Sequence, residues 1–325
     1  MKSVIRFAAA ISAVVLVTAG CAAAETAGPS ASPPISPVLG ASPAQPSTSP
    51  EAPRLIVLAD GVQGGTGLWS FGASGQWAVL GATPNATALG RTSDGIAVAS
   101  GHEVDFRPTS DLSHAGSHTT LKWSAGTSTA PVVSLTGSPA GKLAVATADE
   151  RSLNYWLAAA DGTVTAMASA PTQSFTPLVA WLDESRVVVL STDNQQVSRL
   201  AVVNLATHGL NTINAVLGVT VFGASTDGQS VAVATEKGVY AGPVAAFLGG
   251  TQPQQIATLA DAQVVWALST DTAGAQVYVL AGTEAADGTV SALHELVYTK
   301  QGSAWIRVLD SPAPFTKAIA QVCLS

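Results

Sequence analysis

Ser230-Val231-Ala232-Val233-Ala234-Thr235 is an uncharged run in which small residues alternate with valine. Five altered copies occur elsewhere: Arg54 to Ala59 (RLIVLA), Gly95 to Ser100 (GIAVAS), Lys142 to Thr147 (KLAVAT), Arg186 to Ser191 (RVVVLS) and Gln276 to Ala281 (QVYVLA). Each has a valine at the equivalent place: Val57, Val98, Val145, Val189, Val233 and Val279, at intervals of 41, 47, 44, 44 and 46 residues. No segment keeps a helical period over three turns, so the repeat is that of an all-β chain, and a period near 45 points to propeller blades.

Reading outward from each run gives four short apolar stretches per repeat. Around Val189 they are Pro177 to Leu182, Arg186 to Ser191, Val197 to Val203 and Leu210 to Ile213; around Val145 they are Val132 to Thr136, Lys142 to Thr147, Leu153 to Ala159 and Thr163 to Ala168. The turns carry suitable chemistry. Asp94-Gly95 and Asp227-Gly228 fall between first and second strands, Asp161-Gly162 and Asp287-Gly288 between third and fourth. Asp-Gly supplies the positive backbone dihedrals of tight hairpins. The second strand is apolar at nearly every position, which a strand covered on both faces requires.

Counting strands predicts how the ring closes. The repeat around Val57 lacks a first strand, because Pro50 and Pro53 precede it, and offers only Leu55 to Ala59, Leu68 to Phe71 and Gln76 to Leu80. Phe315 to Val322 is left over at the other end, and Pro314-Phe315-Thr316 echoes Phe175-Thr176-Pro177. The leftover strand beside Leu55 to Ala59 completes a six-bladed β-propeller of four-stranded antiparallel blades and removes both sheet edges. A seven-bladed ring is the alternative.

The blade turns resemble those of WD40-like propellers of the TolB type, whose repeats carry a Ser-Pro-Asp-Gly hairpin before a hydrophobic strand. Ser225-Thr226-Asp227-Gly228-Gln229-Ser230-Val231-Ala232-Val233 comes closest to that pattern, and Ser93-Asp94-Gly95 and Ser138-Pro139-Ala140-Gly141 are partial copies. Asp183-Glu184-Ser185 and Asp271-Thr272-Ala273-Gly274 depart from it, and no Trp-Asp dipeptide ends the blades. The resemblance covers residues 54–325 and implies fold, not function.

Ahead of the ring lie two segments of different character. Residues 1–20 hold Lys2 and Arg6, an apolar run from Phe7 to Val17 and small residues, the layout of a secretory signal peptide. The end, Thr18-Ala19-Gly20-Cys21, resembles a bacterial lipoprotein signal, which implies acylation of Cys21 as the new N-terminus. Acyl burial stabilises by about 0.8 kcal/mol per CH₂ and would fix the product to the extracytoplasmic face of a membrane, in the cell envelope. Residues 21–53 then form a tether rich in Ala, Ser and Pro, too poor in large apolar side chains to build a core. The other cysteine, Cys323, reads as a small buried hydrophobe in the last strand. With net charge −7, 11% charged residues and no Lys/Arg cluster after the leader, nucleic acid is not expected as a partner.

For chemistry the axial channel is the first place to look. The innermost strands are expected at Ala86 to Thr92, Val132 to Thr136, Pro177 to Leu182, Val219 to Ala224, Val264 to Leu268 and Phe315 to Val322. Their charged members are Arg91 and Lys317, with Trp181 and Trp266 as large aromatics. Resemblance to six-bladed lactonases would imply acidic and amide side chains there to hold a divalent cation; two cations without a carboxylate do not suit one. The tryptophans read as packing residues between blades. Asp111, His114 and His118 are placed in one loop of the second blade and form the candidate zinc set, against a solvated loop as the ordinary reading. His294-Glu295 lacks the second histidine of a zincin motif, and Gly137 to Leu143 is a turn, not a phosphate-binding loop. No cofactor is implied. The resulting expectation is a lipid-anchored envelope module that binds or assembles proteins without catalysis, with a hydrolase or lyase acting on a small anionic or sugar-derived substrate in the channel as the alternative.

Overall fold

A computed structural model describes residues 54–324 apart from 124–129, 139, 150–151, 172–177, 193–194, 196, 226, 252 and 286–288. The leader with Cys21, the tether, Phe175-Thr176-Pro177 and Asp287-Gly288 lie outside the described residues. Six four-stranded antiparallel sheets make up the ring. Blade 1 holds β1 (Leu55–Val62), β2 (Gly65–Phe71), β3 (Trp77–Ala82) and the closing strand β24 (Ala318–Cys323). Blade 2 holds β4 (Ala88–Arg91), β5 (Gly95–Ser100), β6 (Glu103–Pro108) and β7 (Ser117–Thr120); blade 3 holds β8 (Val132–Gly137), β9 (Leu143–Ala148), β10 (Ser152–Ala158) and β11 (Val164–Pro171). Blade 4 is β12 (Val179–Asp183), β13 (Arg186–Thr192), β14 (Ser198–Asn204) and β15 (Leu210–Thr212). Blade 5 is β16 (Val219–Ala224), β17 (Ser230–Thr235), β18 (Gly238–Pro243) and β19 (Gln254–Thr258), and blade 6 is β20 (Gln263–Thr270), β21 (Gln276–Glu284), β22 (Val290–Gln301) and β23 (Ala304–Pro312).

The core is a set of layers between blades, and the valine-centred strands divide their side chains between two such layers. Ile96 and Val98 of β5 pack with Ile56 and Leu58 of blade 1, whereas Ala97 and Ala99 pack with Val132, Leu135 and Val145 of blade 3. Covered on both sides, the strand has no polar face, and its alternation of valine with alanine sets the gap between sheets. Cross-blade hydrogen bonds repeat with the sequence period. Thr87 Oγ1 donates to Val132 O at 2.6 Å, the Val179 amide to Ser134 Oγ at 3.4 Å, and Trp181 Nε1 to Thr136 O at 3.0 Å, each joining residues 45 apart. Blade contact is tightest at Gly228, in the turn before β17: its φ is +68°, and a Cβ there would sit 1.5 Å from the carbonyl oxygen of Leu182 in blade 4. Only glycine fits both demands.

Closure follows the strand count. β24 pairs antiparallel with β1 in the register Leu55↔Cys323, Ile56↔Val322, Val57↔Gln321 and Leu58↔Ala320. Phe315 to Lys317, expected inside this strand, instead form a clamp at its start. Asp60 accepts hydrogen bonds from the Thr316 amide at 2.9 Å, the Thr316 hydroxyl at 2.6 Å and the Lys317 amide at 2.9 Å. Burial pushes the Asp60 carboxyl up, but the Thr316 hydroxyl and the two amides outweigh it and hold the group below the usual range. A five-residue helix, α1 (Val244–Leu248), was too short to register as a period; it carries Val244 and Phe247 into the layer between blades 4 and 5.

Candidate functional site

The six innermost strands enclose an axial cavity of about 360 Å³. Its two ends differ, for a reason visible in the strand pairing. β8, β16, β20 and β24 each carry a bulge near their first residues, which leaves Val133, Thr220, Trp266 and Ile319 without a paired residue on the neighbouring strand. A bulge re-aims a side chain; Val133, Trp266 and Ile319, with Leu178, make one end of the lining apolar. At the other end the strands finish in Arg91, Thr92, Ser93, Thr136, Ser225 and Thr270, so hydroxyl groups predominate.

Arg91 is the one charged side chain among the described lining residues. Its Nη1 donates to the carbonyl of Cys323 at 2.8 Å, tying blade 2 to the end of the closing strand. Burial pulls its pKa down, yet an arginine starts so high that it stays a cation. Trp181 is buried between blades 3 and 4 with its indole on Thr136 O. Trp266 differs from the packing role read for it, being 37% exposed because the bulge turns it out of the sheet. Lys317 does not line the cavity: it is exposed in the clamp outside β24, where its backbone serves Asp60. Cys323 is buried and forms no disulfide among the described residues.

The candidate zinc set comes apart. His118 lies on β7, not in the loop, and its Nδ1 meets Asp105 at 2.8 Å while its Nε2 meets Glu103 at 2.5 Å. Two carboxylates at opposite edges of one ring favour its protonated form and occupy both nitrogens; the Asp105 bond, ahead of Glu103, raises the His118 pKa. His114 and Ser113 instead satisfy Asp111, at 3.0 and 2.6 Å. Among the described residues no group of three or more His, Cys, Asp or Glu is placed to hold a metal ion. A second cleft of about 450 Å³ between blades 2 and 3 contains Arg107, Lys142 and Asp94. Arg107 Nη1 is committed to the carbonyls of Leu112 and Ser113, both at 3.1 Å, where it braces the loop before β7.

Six blades around one axis, with the last strand completing the first sheet, can be set beside solved propellers. The ring is similar to that of TolB. A protein assigned as TolB from Agrobacterium tumefaciens superposes with a TM-score of 0.56 at 13% identity, over 82% of this chain and 93% of that one. TolB from Acinetobacter baumannii gives 0.57 at 11% identity, over 83% of this chain and 66% of that one, so the chain spans just under two thirds of the latter. A gluconolactonase from Xanthomonas campestris reaches 0.49 at 12% identity, over 70% of this chain and 83% of that one. Likeness to TolB at this identity establishes fold alone. No protein-family model and no curated protein sequence matches the chain.

Proposed function

We propose that this chain is a non-catalytic binding module of the bacterial cell envelope, held to the extracytoplasmic face of a membrane by acyl groups on Cys21 and presenting its ring to protein partners. The observation that supports the non-catalytic part is the lining of the axial cavity, whose described residues include no carboxylate and no imidazole. Hydrolysis or elimination in that cavity needs an acid or base within hydrogen-bond reach of substrate, and Arg91, kept protonated, is neither. The anchor rests on the leader and the small residues before Cys21. A propeller without channel chemistry still offers a rigid ring of exposed loops, the usual place for partners to bind.

Photo-crosslinking tests the reading. With the full-length chain in membranes, a photoreactive residue at exposed Leu217 or Leu248 is expected to trap envelope proteins as adducts of discrete mass. Cys21→Ala is expected to move the protein into the soluble fraction. Turnover of lactones or anionic sugars that Arg91→Met abolishes would replace this reading with the hydrolase one.

A further inference from the structure

One seam of the ring is unlike the other five. Where blade 6 meets blade 1, Leu55 and Val57 of β1, Phe71 of β2, Tyr278 and Leu280 of β21, and Leu293 and Val297 of β22 share one apolar layer. Glu295 lies between Leu293 and Val297 on the same face of β22, and is 0% exposed. The register confirms its direction. Glu295 is paired with Leu280 on one side and Ser311 on the other, and the Ser311 hydroxyl donates to Gly75 O of blade 1 at 3.0 Å. Neither carboxyl oxygen of Glu295 has a hydrogen-bond partner among the described residues. The same seam contains the indole nitrogen of Trp77, the hydroxyl of Ser269 and the amide oxygen of Gln321, also without partners, so five of the ten such buried atoms sit at the one junction that the closing strand completes.

Among the described residues no cation faces this carboxyl. From β21 the facing titratable group is Tyr278, whose hydroxyl donates to Gln276, and from β24 it is the Cys323 thiol; the β1 residues in the layer, Leu55, Val57 and Ala59, are uncharged. From β2, β3 and β20 the facing residues are uncharged. On β22 and β23, His294, Asp310 and Arg307 pair with one another on the opposite, exposed side. A carboxylate in such a place would be an unpaired buried charge, which the apolar layer strongly disfavours. Desolvation alone sets the direction of the Glu295 pKa, well above the usual carboxylate range.

We propose that the ring is latched by a proton: with Glu295 neutral the seam between blades 6 and 1 stays packed, and its ionisation loosens that seam while the other five hold. This goes beyond the binding function and does not depend on it. The sign follows from linkage. A group whose folded pKa is raised contributes stability that is complete below the unfolded glutamate value of about 4.3 and is lost as pH rises through the folded value, with the opening constant growing up to tenfold per pH unit in between.

The test is hydrogen exchange of the full chain and of Glu295→Gln, compared at equal pH so that intrinsic base catalysis cancels. As pH is raised above about 4.3, the wild-type to variant exchange ratio should climb by up to tenfold per unit in Leu55–Val62 and Ala318–Cys323 until Glu295 has titrated in the folded chain, and stay near one in blade 4. A ratio near one in the seam at every pH, or an equal rise in all six blades, overturns the proposal. If Glu295→Gln does not fold, the ¹³C carboxyl shift of Glu295 in the wild-type chain gives the same decision: its titration and the seam opening must share a midpoint, and separate midpoints overturn the latch.

Discussion

Asp60→Ala removes the acceptor of three hydrogen bonds that join the end of β1 to a segment 256 and 257 residues away. Each such bond to a charged group is worth about 1.5–3 kcal/mol when buried. Asp60 is half-buried and water can reach the freed amides, so the expected net loss is about 2 kcal/mol, or about 3–4 °C in Tm for a domain of this size. The sign with pH is fixed by the depressed carboxyl. Its stabilisation is complete above the unfolded aspartate value of about 3.9 and is lost as pH falls through the lower folded value. Urea denaturation followed by tryptophan fluorescence should therefore show the variant weaker at pH 7 and the difference shrinking towards pH 3. No difference at pH 7, or one that persists undiminished in acid, would refute the clamp.

Three further outcomes are expected. Gly228→Ala should cost at least about 2 kcal/mol in the same assay, since it strains a positive φ and drives a Cβ into the Leu182 carbonyl. The His118 imidazole, followed by NMR, should titrate above an ordinary histidine, and Asp105→Asn should bring it down further than Glu103→Gln. Zinc added to the metal-free protein should leave Tm unchanged, because Asp111 and His114 do not converge with His118; a rise of several degrees would contradict the separation.

The spokes are legible in the sequence because a strand covered on both faces is apolar at nearly every position, and six such runs at one spacing leave few architectures. Closure was legible from counting, since Leu55 to Ala59 lacked a partner and one strand remained. The contents of the site were less so. Strand ends cannot be placed from apolar residues alone, which puts Lys317 in the channel on sequence grounds; the Asp60 clamp starts β24 at Ala318, three residues after the expected Phe315. His118 was grouped with its neighbours in sequence, but strand register hands it to Asp105 and Glu103, which lie 13 and 15 positions earlier. The exposure of Trp266 depends on a bulge, for which its surrounding residues hold no signal. Glu295 could have been found: Leu293-x-Glu295-x-Val297 alternates inward, and only the habit of treating a glutamate as solvated hid it.

The central structural claim, that the C-terminal strand completes the first blade, is open to one chemical measurement. Leu55 and Cys323 are paired residues, and paired Cα atoms of antiparallel strands lie about 4.5–5.5 Å apart, within disulfide range. In a Cys21→Ser background, Leu55→Cys should form a disulfide with the native Cys323 under mild oxidation, leaving no titratable thiol in the folded protein. Two thiols that stay reduced and react independently with a maleimide after unfolding would contradict the closed ring.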